Sequence, residues 1–225
     1  MIFTGPSLPP AKAAMLLDAA YLPPVKRGDL GRLLASKPRI VGIVDGEFYQ
    51  SLAVTPKEVL ALLEAGVAVY GAASMGALRA VELYRYGMIG VGSVFRQFRA
   101  GVLDADDEVA LAYSSESYEA MSDPLVNTRY ALRAAARRGI VTRAEAADIV
   151  STVKGFYFPE RTRRLVLSIA GKVAGSERAH KLRQFLASEA PDLKARDARL
   201  LLERIRHDIG SVRIARTQGF DDASI

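Results

Sequence analysis

No cysteine occurs in the 225 residues, which removes disulfides, zinc–thiolate sites, iron–sulfur clusters and cysteine nucleophiles together. Histidine is scarce as well: only His180 and His207 are present, both late in the chain. A general base is therefore expected to be Lys, Asp or Glu. Long apolar runs are missing, and none approaches the ~20 residues that a membrane-spanning helix needs. Met1-Ile2-Phe3-Thr4-Gly5 has neither the basic start nor the apolar stretch of a secretory signal. With no cysteine to oxidise, the default expectation is a soluble cytoplasmic protein without membrane contact.

What is present is an ordinary globular balance, 50% hydrophobic and 25% charged. That is enough to bury a full core in one domain, or in one domain with a helical extension. The charge is unevenly spread. Residues 1–125 carry 11 Lys/Arg against 14 Asp/Glu, and residues 126–225 carry 20 against 11, or −3 and +9. A basic half suits an acidic partner, nucleic acid or protein; a set of solvated Arg-rich helices explains it equally well.

Turn signals and apolar spacing predict a strand at Met1–Thr4, an amphipathic helix over Ala11–Ala19, and a short helix over Gly28–Ser36. Arg39–Val44 is a β-branched run closed by Asp45-Gly46, as in a buried strand followed by a turn. Thr55-Pro56-Lys57-Glu58 has the form of a capping box, with Pro56 at the first helical position and Gly66 as the stop. Val67–Tyr70 then reads as a strand and Met75–Tyr86 as a helix. This alternation predicts an α/β fold, a small parallel sheet with flanking helices, followed by a C-terminal helical region. The expected organisation is a core over residues 1–122, helices over 123–216 and a flexible tail over 217–225.

The strand at Val67–Tyr70 runs into Gly71-Ala72-Ala73-Ser74-Met75-Gly76, small residues around a serine at a strand-to-helix turn. Such a turn exposes a hydroxyl and lets backbone N–H groups face a ligand. The strict G-x-S-x-G pattern fails, because Ala72 stands at its first glycine. A serine capping a helix packed closely on the sheet explains the same residues. Lys57, at the second helical position of the capping box, is a cation opposed by the helix dipole, which favours the neutral amine that a base requires. Lys57 and Ser74 open consecutive helices, so both are expected at the carboxyl edge of the sheet. A solvated Lys57 fits the sequence too. The run Asp104, Asp106, Asp107, Glu108 reads as a cation site or, more commonly, as a solvated loop leading into a helix. Gly87, Gly90 and Gly92 follow a helix and not a strand, so a dinucleotide loop is a poor reading.

Lys57-Glu58-Val59-Leu60, Gly66-Val67 and Gly71-Ala-Ala-Ser74-Met75-Gly76-Ala-Leu78-Arg79-Ala80 resemble the core of the TfuA-like family. Glu82-Leu83, Tyr86-Gly87-Met88, Gly90-Val91-Gly92 and Asp106–Ala110 continue the likeness, as do Gly5-Pro6-Ser7 and Asp45-Gly46. Val81 and Thr55-Pro56 depart from the family pattern without removing a reacting group. The resemblance implies a protein that accompanies a YcaO-family enzyme in peptide backbone thioamidation. It would hydrolyse a thiocarboxylated ThiS-type sulfur-carrier protein and release sulfide, with Ser74 as nucleophile and Lys57 as general base. No cofactor or metal is implied. Gly71, Met75 and Gly76 are candidates for binding substrate or an oxyanion; Arg79 would bind the thiocarboxylate or bridge to Glu82, and Asp45 would bind substrate or make its turn. The rival readings are a non-enzymatic adaptor that raises the YcaO partner's affinity for its peptide, and a nucleic-acid module. The second ranks low because no binding motif or interleaved aromatic stripe accompanies the basic half.

Overall fold

The computed structural model describes residues 1–47, 52–114 and 116–218, with side chains as far as Gly210. Five strands, β1 (Ile2–Phe3), β2 (Tyr21–Leu22), β3 (Ile40–Ile43), β4 (Ala68–Gly71) and β5 (Ile89–Gly90), form one sheet in the order β2-β1-β3-β4-β5. Every neighbouring pair is parallel. The chain builds outward to β2, then reverses past β1 to β3, β4 and β5. In such doubly wound sheets ligands bind beyond the carboxyl ends of the strands.

The connections are α1 (Pro10–Ala14), α2 (Asp29–Leu34), α3 (Pro56–Glu64) and α4 (Met75–Leu83), and α4 runs on into a 3-10 turn at Tyr84–Tyr86. After β5 come α5 (Gly92–Arg99), α6 (Leu125–Arg137), α7 (Arg143–Lys154), α8 (Arg163–Ala174), α9 (Ser176–Ser188) and α10 (Leu193–Gln218). This is the α/β fold with a parallel sheet, flanking helices and a helical C-terminal region that the sequence predicted. Among the described residues no helix is long and apolar enough to cross a membrane.

The chain divides into two compact units: Met1–Arg96 with the described residues from Asp197 onward, and Gln97–Arg196. The expected break after residue 122 does not coincide with this division. Ala198, Leu201, Leu202 and Ile205 of α10 join Ile2, Val44, Tyr70 and Ala72 in the core of the sheet unit. Gly42 permits this approach, since a Cβ there would come 3.2 Å from side-chain atoms of both Leu201 and Ile205. The expected tail lies outside the described residues from position 219 on.

Carboxylates tie α10 into its unit at two places. Asp197, fully buried, accepts from the Val94 N–H at 2.7 Å. The Tyr70 hydroxyl on β4 donates to Asp208 Oδ2 at 2.8 Å. Burial and that bond push the Tyr70 phenol up to about 12. A raised phenol favours the folded state fully below its ordinary value near 10, and the benefit is lost as pH rises toward 12. Tyr70→Phe should cost about 1 kcal/mol at neutral pH, with the difference from wild type shrinking above pH ~10 when denaturant melts are compared.

The second unit is a helical core in which Leu125, Leu132, Ile149, Val153, Leu182 and Phe185 are all but excluded from water. The acidic run is fastened to it. Glu108, fully buried, accepts from Arg129 Nε at 2.9 Å and Nη2 at 2.6 Å. Arg161, 1% exposed, donates to the carbonyls of Phe156, Asp107 and Lys154 and to the Asp107 carboxylate. Solvation therefore does not describe Asp107 or Glu108, and Asp104 bridges Lys154 at the surface. Among the described residues no group of three or more His, Asp and Glu is placed to hold a metal. Because removing one partner strands the other, Arg161→Met should destabilise by about 3–5 kcal/mol, measurable as a lowered denaturant midpoint.

Candidate active site

The turn between β4 and α4 is tight and strained. Ala73 sits at φ +63°, in the left-handed region where a Cβ crowds the following carbonyl at a cost of about 1–2 kcal/mol. Ser74 follows at φ −127°, ψ −122° and donates its N–H to the Ala72 carbonyl at 2.7 Å. The start of α4 is pinned to the end of β3: Ala72 N–H donates to Ile43 O at 3.1 Å and Gly76 N–H to Val44 O at 3.3 Å. At this distance only glycine fits. A Cβ on Gly76 would lie 1.8 Å from Ile43 O, and one on Gly71 would lie 2.1 Å from Gly76 O. Met75, almost wholly buried, packs against Gly46, where a Cβ would come 2.6 Å from Met75 Cγ.

Ser74 is 9% exposed and occupies the cap position of α4, yet its side chain makes no capping hydrogen bond. Its hydroxyl has no hydrogen-bond partner among the described residues, so capping does not account for this serine. The N–H groups on either side of it, at Ala73 and Met75, also lack an acceptor among the described residues. The Gly76 N–H is committed to Val44. Of the two amides expected to hold an oxyanion, Met75 is open and Gly76 is engaged. Ala73 supplies another open amide that sequence reading missed, because an alanine at positive φ leaves no signature in residue type.

Lys57 stands at the second position of α3, exposed, behind the predicted capping box. Thr55 Oγ1 accepts from Glu58 N–H at 3.3 Å, and Glu58 Oε2 accepts from Thr55 N–H at 2.9 Å. The other carboxylate oxygen of Glu58 accepts from Gly28 N–H at 2.6 Å, which joins the start of α2 to that of α3. Helices α3 and α4 follow the adjacent parallel strands β3 and β4, so both helix starts lie at the carboxyl edge of the sheet. Among the described residues no hydrogen bond joins Lys57 to Ser74.

Two candidate residues have other occupations. Asp45, 3% exposed, accepts from Gly5 N–H and Ser7 N–H at 2.9 Å and from Ser7 Oγ at 2.6 Å. Its carboxylate ties the β1–α1 loop to the end of β3, near the point where the winding reverses. Arg79 bridges to Glu82, the alternative weighed for it, and donates from Nε to Val54 O at 2.9 Å, one residue ahead of the Thr55 cap. It thereby fixes the start of α3 against α4.

The structure is that of an α/β protein with an uncapped serine on a strained strand-to-helix turn at the carboxyl edge of a doubly wound parallel sheet. The family follows from comparison: the model for TfuA-like proteins matches residues 45–162, more than half of the chain, which belongs to that family. The matched stretch contains Lys57, the whole Ser74 turn and the carboxylate–arginine pairs through Arg161. No curated protein matches the chain.

The close approach of α4 can be tested at two neighbouring positions. Gly76→Ala should destabilise by about 3 kcal/mol, because backbone and not a flexible side chain blocks the new methyl. Ala73→Gly at the same turn should stay within about 1 kcal/mol of wild type, since relief of the left-handed strain offsets the lost methyl and the looser unfolded chain. Thermal or denaturant unfolding of the two variants measures both effects.

Proposed function

We propose that this protein hydrolyses a thiocarboxylate at Ser74, releasing sulfide from a ThiS-type carrier for a YcaO-family enzyme that thioamidates a peptide backbone. The observation that carries this reading is the state of Ser74: nearly buried, uncapped, without a partner for its hydroxyl, on a strained turn between two open amides. A serine that only ended a helix would be expected to bond its own first turn. The turn's walls of glycine and alanine suit a thin, extended tail ending in a thiocarboxylate.

In this mechanism the amine of Lys57 takes the Ser74 proton as Oγ attacks the thiocarboxylate carbon. The oxyanion that forms is held by the N–H groups of Met75 and Ala73. The Lys57 ammonium then returns the proton to sulfur as the C–S bond breaks, so that hydrosulfide leaves and a carrier ester remains on Ser74. Water, deprotonated by the same amine, attacks the ester; as the ester C–O bond breaks the Lys57 ammonium returns that proton to Ser74 Oγ, and the carrier leaves as a carboxylic acid that ionises in solvent. Hydrosulfide is a weak base and departs with little acid assistance, which suits a site drawn from elements that contain no histidine. Arg79 serves as a positioning residue, because it holds the segment before Lys57 against the helix that carries Ser74. The Lys57–Ser74 contact forms when substrate closes the site, since catalytic hydrogen bonds tighten in the substrate complex.

A second reading, a non-enzymatic adaptor for the YcaO enzyme, draws on the exposure of Lys57 and its lack of a bond to Ser74 in the free protein. Sulfide release from a thiocarboxylated carrier separates the two. Ser74→Ala should reduce release to background. Lys57→Met should lower it by about 10²–10⁴-fold, the usual contribution of a general base. Lys57→Arg should fare no better, because a guanidinium stays protonated. Full activity in the Arg variant would exclude Lys57 as the base. An adaptor would release no sulfide in any form and would keep its effect on peptide binding in Ser74→Ala.

A further inference from the structure

Within the helical unit, α6 and α7 enclose a groove of about 570 Å³ that the reading of Ser74 does not use. Its floor is apolar and made mostly of small side chains, with Leu132, Ala136, Ala146 and Val150 beneath and Ala147 and Ser151 on the α7 rim. Its walls are cationic: Arg129, Arg133 and Arg137 recur every fourth residue along α6, and Arg143 and Lys154 stand at the two ends of α7. Among the described residues no carboxylate lines it.

One end of the cationic strip already shows what it takes. Arg129 grips the buried Glu108 with two hydrogen bonds, and Lys154 lies 3.9 Å from the same carboxylate. Arg133, Arg137 and Arg143 continue the strip with no carboxylate or other hydrogen-bond partner among the described residues. Three guanidinium groups beside one apolar floor repel one another, and a ligand bearing several carboxylates relieves that repulsion.

We propose that this groove docks an acidic amphipathic helix of a partner protein, its apolar face on the small-residue floor and its carboxylates against Arg133, Arg137 and Arg143. From Arg129 to Arg137 the strip runs about 12 Å, a little over two helical turns. A compact anion would satisfy one guanidinium and leave the floor wet. An amphipathic helix supplies a continuous apolar stripe with acids spaced along its flanks. The inference stands on the groove alone and does not depend on the chemistry of Ser74.

The test uses the full chain and a fluorescein-labelled helical peptide of about 18 residues, with Leu and Ala on one face and Glu on its flanks, read by fluorescence anisotropy. Binding should weaken as salt rises. It should fall by about tenfold or more in the triple variant Arg133→Gln/Arg137→Gln/Arg143→Gln, whose substituted side chains are exposed in the folded protein. Ala147→Trp, which fills the groove without altering its charge, should weaken binding similarly. A circular-dichroism melt of each variant confirms that the fold is retained. Three results would each overturn the proposal: unchanged affinity in the triple variant, equal binding of a scrambled peptide of the same charge, or tighter binding of a DNA duplex at physiological salt.

Discussion

The start of α4 lies so close to the end of β3 that two backbones touch without side chains between them. Gly76 faces the Ile43 carbonyl and Gly71 faces Gly76, and any Cβ at either position would collide with backbone. The geometry of the Ser74 turn follows from this seating. To descend onto β3 within a few residues of leaving β4, the chain passes through a left-handed alanine, and the serine that follows makes no side-chain capping bond. Strain at the turn persists because the hydrogen bonds of Ala72 and Gly76 to β3 over-determine it.

Around the turn, polar groups are spent on holding backbone in place. Asp45 gathers the loop after β1, Glu58 joins the starts of α2 and α3, and Arg79 secures the segment before α3 to α4. Each is a charged group that bonds nearby backbone and so fixes the course of the chain at the sheet edge. Among the described residues the Ser74 hydroxyl, its two flanking amides and the amine of Lys57 carry no hydrogen-bond partner there.

The helical unit follows a different rule. Of its acidic run, Glu108 is held by Arg129, Asp107 by Arg161 and Asp104 by Lys154, while among the described residues Arg133 and Arg137 further along α6 have no such partner. The same residue type therefore does two things within one helix. Arg129, about a quarter exposed, pairs with a buried carboxylate of the chain itself; Arg133 and Arg137 line a groove with an apolar floor.

The sequence by itself determined the elements with local signatures. The capping box at Thr55–Glu58, the β-branched run ending at Asp45 and the strand leading to Ser74 all lie where residue type and spacing put them, because neighbouring residues decide them. Short elements escaped it. β2 and β5 are two residues each, too brief for any period, and become strands only because β1 and β4 offer free edges. Helix α1 stops at Ala14 although its apolar pattern continues to Ala19, since the chain must turn to bring Tyr21 alongside Ile2. The unit boundary was equally hidden, because nothing local distinguishes a helix that packs on its neighbours from α10, which returns to the sheet through Leu201 and Ile205. At the candidate site the sequence brought Lys57 and Ser74 to one sheet edge. Tertiary structure alone decided that Ser74 is uncapped, that Asp45 and Arg79 are engaged, and that Ala73 in place of Gly76 holds the second open amide. Those outcomes turn on which backbone groups meet across β3 and β4, and contacts between distant segments have no image in the order of residues.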